Sequence, residues 1–152
     1  MLEIKTNIDT VIGGLSQQLQ KLLNTDALLR TIATSMTGVV RARVHEKGLT
    51  AAGVPIGTYD KDYLEQRQKP PYNRTADPKI VFSLTRQMEN DMKPIPTVQG
   101  WAIGYSNQHN HDKAMWCEMR ENTKILTALT KEEDAQVTEI VTDFVDDALK
   151  SL

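Results

Sequence analysis

The chain has 152 residues, 39% apolar and 25% charged, with a net charge of −2, the size and balance of one domain that buries a core without disulfides or a structural metal. Its single cysteine, Cys117, excludes an intrachain disulfide. No window reaches the about 20 apolar residues of a membrane span, and no basic stretch with a long apolar run opens the chain, so the expectation is a protein made in the cytoplasm without a membrane anchor.

The charge is uneven. Residues 1–90 carry 12 Lys and Arg against 9 Asp and Glu, and residues 91–152 carry 6 against 11. Such a split suits head-to-tail contact between copies better than a nucleic-acid footprint, which needs one strongly basic face; it is equally what a solvated surface can look like.

From the N-terminus, Ile8, Val11, Ile12, Leu15, Leu19, Leu22 and Leu23 recur at helical spacing, with Asn7 as the N-cap. Gly13 and Gly14 interrupt the stripe at about 1 kcal/mol each relative to alanine, which predicts a helix fragile or bent near its start and dependent on a partner for order. A second helix, capped by Asn24 or Thr25, follows from Leu28, Leu29, Ile32, Ala33, Met36, Val39, Val40 and Val44, and Gly48 stops it. Arg30, Arg41, Arg43 and His45 ride on this helix chiefly off the apolar stripe, a basic face for a partner or a solvated one. From His45 to Lys79, glycines, prolines, tyrosines and alternating charges replace periodicity. The expectation is a long loop over about 46–78, with one short helix over 60–68; connections of that length are usually functional or ordered on binding.

KIVFSLT (79–85) and VQGWAIGY (98–105) predict two antiparallel strands, with Pro94 and Pro96 making a turn in the QMENDMKPIPT stretch between them. A short helix over 113–120 follows. Thr130 and Glu133 have capping-box spacing, and Val137, Ile140, Val141, Phe144, Ala148 and Leu149 form the stripe of a helix over 131–150. The fold class is α+β, one domain over 1–152, with N-terminal helices and a C-terminal helix packed on a small antiparallel sheet.

The stretch SNQHNHDKAMWCEMR (106–120) brings His109, His111 and Cys117 close in sequence. Zinc takes about four ligands, or three and a water, and these three lack the paired spacing of known zinc motifs. His109-Asn110-His111 matches the HNH nucleases only in its letters, because that family scatters the three residues over its fold. Cys117, between Met115, Trp116 and Met119, reads as a small buried apolar residue rather than a nucleophile. No phosphate-binding loop, nucleophile elbow, zincin helix or calcium loop occurs in the sequence, and Asp146 and Asp147 diverge on their helix. These residues favour a protein that is not an enzyme and needs no cofactor or metal. A metal-dependent enzyme built on His109, His111 and Cys117, or a nucleic-acid-binding module, are the alternatives.

RARVHEKG (41–48) followed by GVPIGTYDKDYLEQRQK (53–69), then KIVFSLTRQM (79–88), GWAIGY (100–105) and KAMWCEMRENTKILTALT (113–130), form an ordered series. It resembles a family of tailed-bacteriophage neck and tail-completion proteins, related to virion-morphogenesis protein G of Mu-like phages and minor tail protein Z of lambdoid phages. Leu84, Thr85, Met88, Gly104, Ala114, Glu118 and the pair Ile125-Leu126 match the family pattern. Arg86 and Arg120 stand where glycine is common, and Lys113 where tyrosine is.

The resemblance implies a virion structural protein at the head-to-tail junction, assembled in the host cytoplasm. Copies would close into a ring of six-fold or related symmetry that meets portal or connector, tail-terminator or tail-tube proteins. The candidate contact residues, chosen because Tyr and Arg are enriched in interface hot spots, are Arg41, Arg43, Tyr59, Tyr63, Arg67 and Arg86; alternatively Tyr59, Tyr63 and Arg67 fold the loop onto its own domain. Lys47, Lys61, Arg67, Lys69 and Arg74 could face DNA in a central channel, although Asp60, Asp62 and Glu65 dilute their charge.

Overall fold

The computed structural model describes residues 8–150, apart from the side chains of residues 8–11, 18 and 21–23. Helix α1 (Ile8–Leu23) runs through Gly13 and Gly14 without a break; the expected cap, Asn7, lies outside the described residues. Helix α2 (Thr25–Arg41) is capped by Asn24, whose Oδ1 accepts from the Ala27 N–H at 3.3 Å. It buries Ala33, Met36, Thr37 and Val40, at the spacing of three and four that the sequence carries.

The rod then widens into a π-helical turn, Ala42–Lys47. More residues per turn change the bearing of each side chain, and three consecutive residues, Arg43, Val44 and His45, all turn inward. Gly48 ends the rod at φ 64°, and a Cβ there would stand 2.2 Å from the carbonyl oxygen of Ile80. Backbone conformation and space both call for glycine.

Within the central stretch, helix α3 (Lys61–Gln68) starts at Asp60, whose carboxylate accepts from the Tyr63 N–H at 2.8 Å. On either side of it the chain is fixed by isolated bridges, Leu49 with Pro55 and Thr58 with Lys79. Residues 79–85, expected as a strand, form no ladder beyond that second bridge. The carbonyls a neighbouring strand would take are taken by side chains. Val81 O accepts from the Tyr59 hydroxyl, Phe82 O from His45 Nδ1 at 2.9 Å, Ser83 O from Arg67 Nη2 at 3.1 Å and Leu84 O from Arg74 Nε at 2.9 Å. These four carbonyls are satisfied without a sheet.

Helix α4 (Gln87–Asp91) leads into strand β1 (Met92–Thr97), which pairs antiparallel with β2 (Gly100–Tyr105), from Met92 opposite Tyr105 to Thr97 opposite Gly100. The proline stretch expected to turn is therefore itself a strand. Pro94 and Pro96 are two residues apart, so both remove N–H groups from the same edge. In a two-stranded sheet that edge has no partner to lose.

Helix α5 (Gln108–Glu121) begins earlier than the expected 113 because its start is doubly capped. Asn107 Oδ1 accepts from the His109 N–H at 2.9 Å, and the Asp91 carboxylate accepts from the Ser106 hydroxyl, the Asn107 N–H at 2.9 Å and the Asn110 amide at 3.0 Å. Helix α6 (Lys131–Lys150) opens on the expected box: Glu133 N–H donates to Thr130 Oγ1 at 3.1 Å, and Thr130 N–H to Glu133 Oε2 at 2.9 Å.

The fold is α+β. Helix α2 lies across both strands, α5 rests on β2, and α6 packs chiefly on α2 with α1 against it. Val40, Val44, Ile56, Ile80, Met92, Tyr105, Ala114 and Ile125 form the core beneath them.

Arg43 joins these parts. Its Nε donates to Glu133 Oε1 at 2.7 Å, its Nη1 to the carbonyls of Leu49 at 3.2 Å and Ile125 at 2.7 Å, and its Nη2 to that of Ala128 at 3.3 Å. The two charged side chains are only 6% and 3% exposed. Removing one partner of such a pair strands the other charge in the interior, so Arg43→Met is expected to lower the unfolding free energy by about 3–5 kcal/mol. Urea denaturation measures this, and a loss below about 0.5 kcal/mol, the range of ordinary surface substitutions, would contradict the burial of the pair.

Candidate assembly interface

An apolar opening lies where α2 passes over the hairpin. Leu29, Ile32, Met36, Trp101, Ile103 and Leu129 are among the residues that line a cleft of about 260 Å³, and Val137 of α6 also lies on its wall. Its rim is ordered by Trp101, whose indole N–H donates to Asp26 at 2.8 Å while the Arg30 guanidinium sits 5.4 Å from the ring centroid. Gly100 allows the hairpin to press up to Leu29, since a Cβ there would fall 2.8 Å from a Leu29 methyl.

Helix α1, which packs against α6, turns apolar residues outward. Ile12, Leu15 and Leu19 are 54%, 44% and 58% exposed although they form one helical stripe. A second apolar spot lies on α5, where Trp116 and Met119 are exposed and the Arg120 guanidinium stacks 4.9 Å from the indole. Contiguous apolar surface of this kind marks contact sites more often than chance exposure does. Among the described residues, no helix is long and apolar enough to cross a membrane.

The residues singled out for contact take different places. Tyr59, Tyr63 and Arg67 form a stack: the Arg67 guanidinium lies 4.2 Å from the Tyr59 ring centroid and 5.8 Å from that of Tyr63. Arg67 is buried, as is Arg43; Arg43 donates from all three nitrogens inside the chain, whereas Arg67 donates through Nη2 to Ser83 O and its Nε is buried without an acceptor among the described residues. Arg41 is half-buried and reaches the Met92 carbonyl at 2.5 Å. Arg86 alone of the six is exposed. It caps α4 from the left-handed region at φ 62°, the conformation that a glycine at that position would adopt.

His109, His111 and Cys117 share α5 but do not converge. The two histidines are exposed near its start, whereas Cys117 is buried further along, where burial pushes its thiol above the usual range. A raised thiol is a poor nucleophile and a poor metal ligand at neutral pH. Among the described residues, no group of three or more His, Cys, Asp or Glu side chains is placed to hold a metal ion.

The working carboxylate of this region is Glu118. Its Oε1 accepts from the N–H groups of Ile125 at 2.7 Å, Leu126, and Thr127 at 2.9 Å, and its Oε2 from the Thr127 hydroxyl at 2.9 Å. Three successive donors bent around one carboxylate form an anion nest, here filled from within. Burial alone would raise the Glu118 pKa, but the donors outweigh it and hold the group below the usual carboxylate value. The clamp fixes the segment that bears Leu126 and Leu129 on the cleft wall. Sequence reasoning placed Glu118 in a motif without finding this role; no local pattern announces a carboxylate that binds backbone seven to nine residues ahead.

No protein-family model, no curated protein and no solved structure matches the chain.

Titration should loosen this face in two stages. Burial holds His45 below its ordinary pKa, against its hydrogen bond to Phe82 O, so the unfolded chain takes up the proton first. Stability from a neutral His45 is present above about pH 6.5 and is lost as pH falls below it. His45→Gln is expected to flatten that stage of a stability-versus-pH curve. Asp91, held at about 2 by the Asn110 amide and the Ser106 hydroxyl, and Glu118 act in the same direction lower down. Their contribution is present above about pH 4 and lost on further acidification. Glu118→Gln should cost about 1.5 kcal/mol at pH 7, the lower end for charge-assisted hydrogen bonds, and remove part of the acid stage in the same chemical-denaturation series.

Proposed function

We propose that the protein is a non-enzymatic structural subunit that acts by assembling with copies of itself into a closed ring. The ring's proposed place is the head-to-tail junction of a tailed-phage virion, where it completes the tail or joins it to portal and connector proteins. The observation that carries the assembly reading is α1, which holds Ile12, Leu15 and Leu19 in one stripe and leaves all three about half exposed. Fully burying such a side chain is worth about 1.5–3 kcal/mol. A neighbouring copy that covers the stripe recovers part of that for each residue.

Two further features support the reading. The cleft over the hairpin adds apolar surface on the α2 and α6 side, and the opposite charge of the two halves of the chain gives copies a reason to meet head to tail rather than face to face. The phage setting rests on the ordered motif series, within which Ala114 lies in the core and Glu118 holds the segment ahead of α6.

In sedimentation velocity and negative-stain microscopy the purified protein is expected to form ring-shaped oligomers. Leu15→Glu combined with Leu19→Glu should weaken assembly at least tenfold while leaving the circular-dichroism spectrum in place. A wild-type chain that stays monomeric at all concentrations would sink the assembly reading, and absence of the protein from intact virions would sink the phage reading. Stoichiometric transition metal in the purified protein would favour the enzyme alternative instead.

A further inference from the structure

A second cleft, of about 510 Å³, opens between the turn after α3 and the segment before α4. It is polar where the first is apolar: Tyr72, Asn73, Arg74, Thr85 and Arg86 line it together with Pro71 and Leu84, and no carboxylate does. The two guanidiniums differ in how they are held. Arg74 is fixed by Nε to Leu84 O at 2.9 Å and by Nη2 to Ser83 Oγ at 3.1 Å, and its Nη1 has no acceptor among the described residues. Ser83 in turn donates to Glu89 at 2.8 Å, so that carboxylate is engaged by the same serine that holds Arg74.

Arg86 is presented differently, by a left-handed backbone that an L-residue adopts only at a cost. Among the described residues its side chain joins no ion pair. Asn73, on the same cleft wall, has the same conformation at φ 48°. The strained backbone and the unspent cationic donors therefore coincide.

The complementary surface is on α6. Glu132, Glu139, Asp143 and Asp146 are exposed and stand at intervals of seven, four and three, which places them on one side of the helix, opposite the side that carries Val137, Ile140, Val141 and Phe144. They form a line about 21 Å long at 1.5 Å per residue. None of the four is ion-paired among the described residues.

We propose that the acidic line of α6 in one copy docks on the Arg74 and Arg86 cleft of the next. The inference rests on the assembly reading above and specifies its polar contact. Donor and acceptor surfaces are carried by different elements, so each copy gives one and receives one. That contact is heterologous and repeats in a single direction, closing into a ring where the rotation allows. Carboxylates suit paired guanidiniums through two parallel N–H···O bonds. A helix fits better than a nucleic-acid backbone here, because the surrounding segment has no continuous basic track: Asp62, Glu65 and Asp77 are exposed beside it and Lys79 lies 3.7 Å from Asp77.

A charge-swap experiment decides the matter. One variant carries E139K, D143K and D146K, the other T85E and R86E, all at exposed positions; thermal melts followed by circular dichroism monitor the fold of each. In sedimentation velocity each variant alone is expected to assemble at least tenfold more weakly than wild type. An equimolar mixture should regain rings of alternating subunits, because each variant then offers the other an oppositely charged surface, and added salt should weaken the wild-type ring. Variants that each assemble like wild type, or a mixture that fails to recover, overturn this contact while leaving the ring intact as a reading. A wild-type chain that never assembles overturns both. If T85E/R86E keeps its rings but loses binding to a short DNA duplex, the cleft serves phosphate and the proposal fails.

Discussion

One guanidinium sets the relation of the chain's two ends. Arg43 is placed by the π-helical turn at the end of α2 and reaches Leu49, Ile125, Ala128 and Glu133 at once. Glu133 in turn closes the capping box of α6 with its other oxygen. The cap of the last helix and the end of the second are thus halves of one buried network. An ion pair in the interior gains little net free energy over apolar packing, but its geometry admits few alternatives. It fixes where α6 begins, and with it the wall of the apolar cleft.

The same economy recurs in the central stretch. Tyr59, His45, Arg67 and Arg74 cover four successive carbonyls, those of Val81, Phe82, Ser83 and Leu84. His45 must carry its proton on Nδ1 to donate to Phe82, which leaves Nε2 facing the Tyr105 hydroxyl at 3.3 Å. Side chains drawn from a helix end, a bridge and a loop replace a third strand. Arg67 is consequently structural, being buried with its Nη2 on Ser83 O, and Arg74 is structural at Nε and Nη2.

Legibility from sequence follows the range of the interaction that decides each element. Helix α6 was legible because Thr130 and Glu133 are three residues apart and decide its start alone. The α2 stripe, its cap at Asn24 and its stop at Gly48 were local in the same way. KIVFSLT has strand composition, but its fate depends on donors up to 37 residues distant, and composition carries no record of them. MKPIPT was misjudged for the opposite reason: two prolines argue against a central strand, and only the two-stranded sheet makes them acceptable. The site was least legible. Arg86, Arg74 and the tyrosines could be named, whereas the cleft that brings Arg74 and Arg86 together and the Glu118 clamp depend on turns brought together by the fold.

The prolines of β1 also bear on how copies of the chain behave beside one another. A two-stranded hairpin has two open edges, and open edges recruit foreign strands. On the outer edge of β1, Pro94 and Pro96 have no N–H to offer, so a stray strand finds acceptors there but gaps among the donors. Copies of the chain are thereby protected along that edge from indiscriminate β-pairing with one another or with other strands.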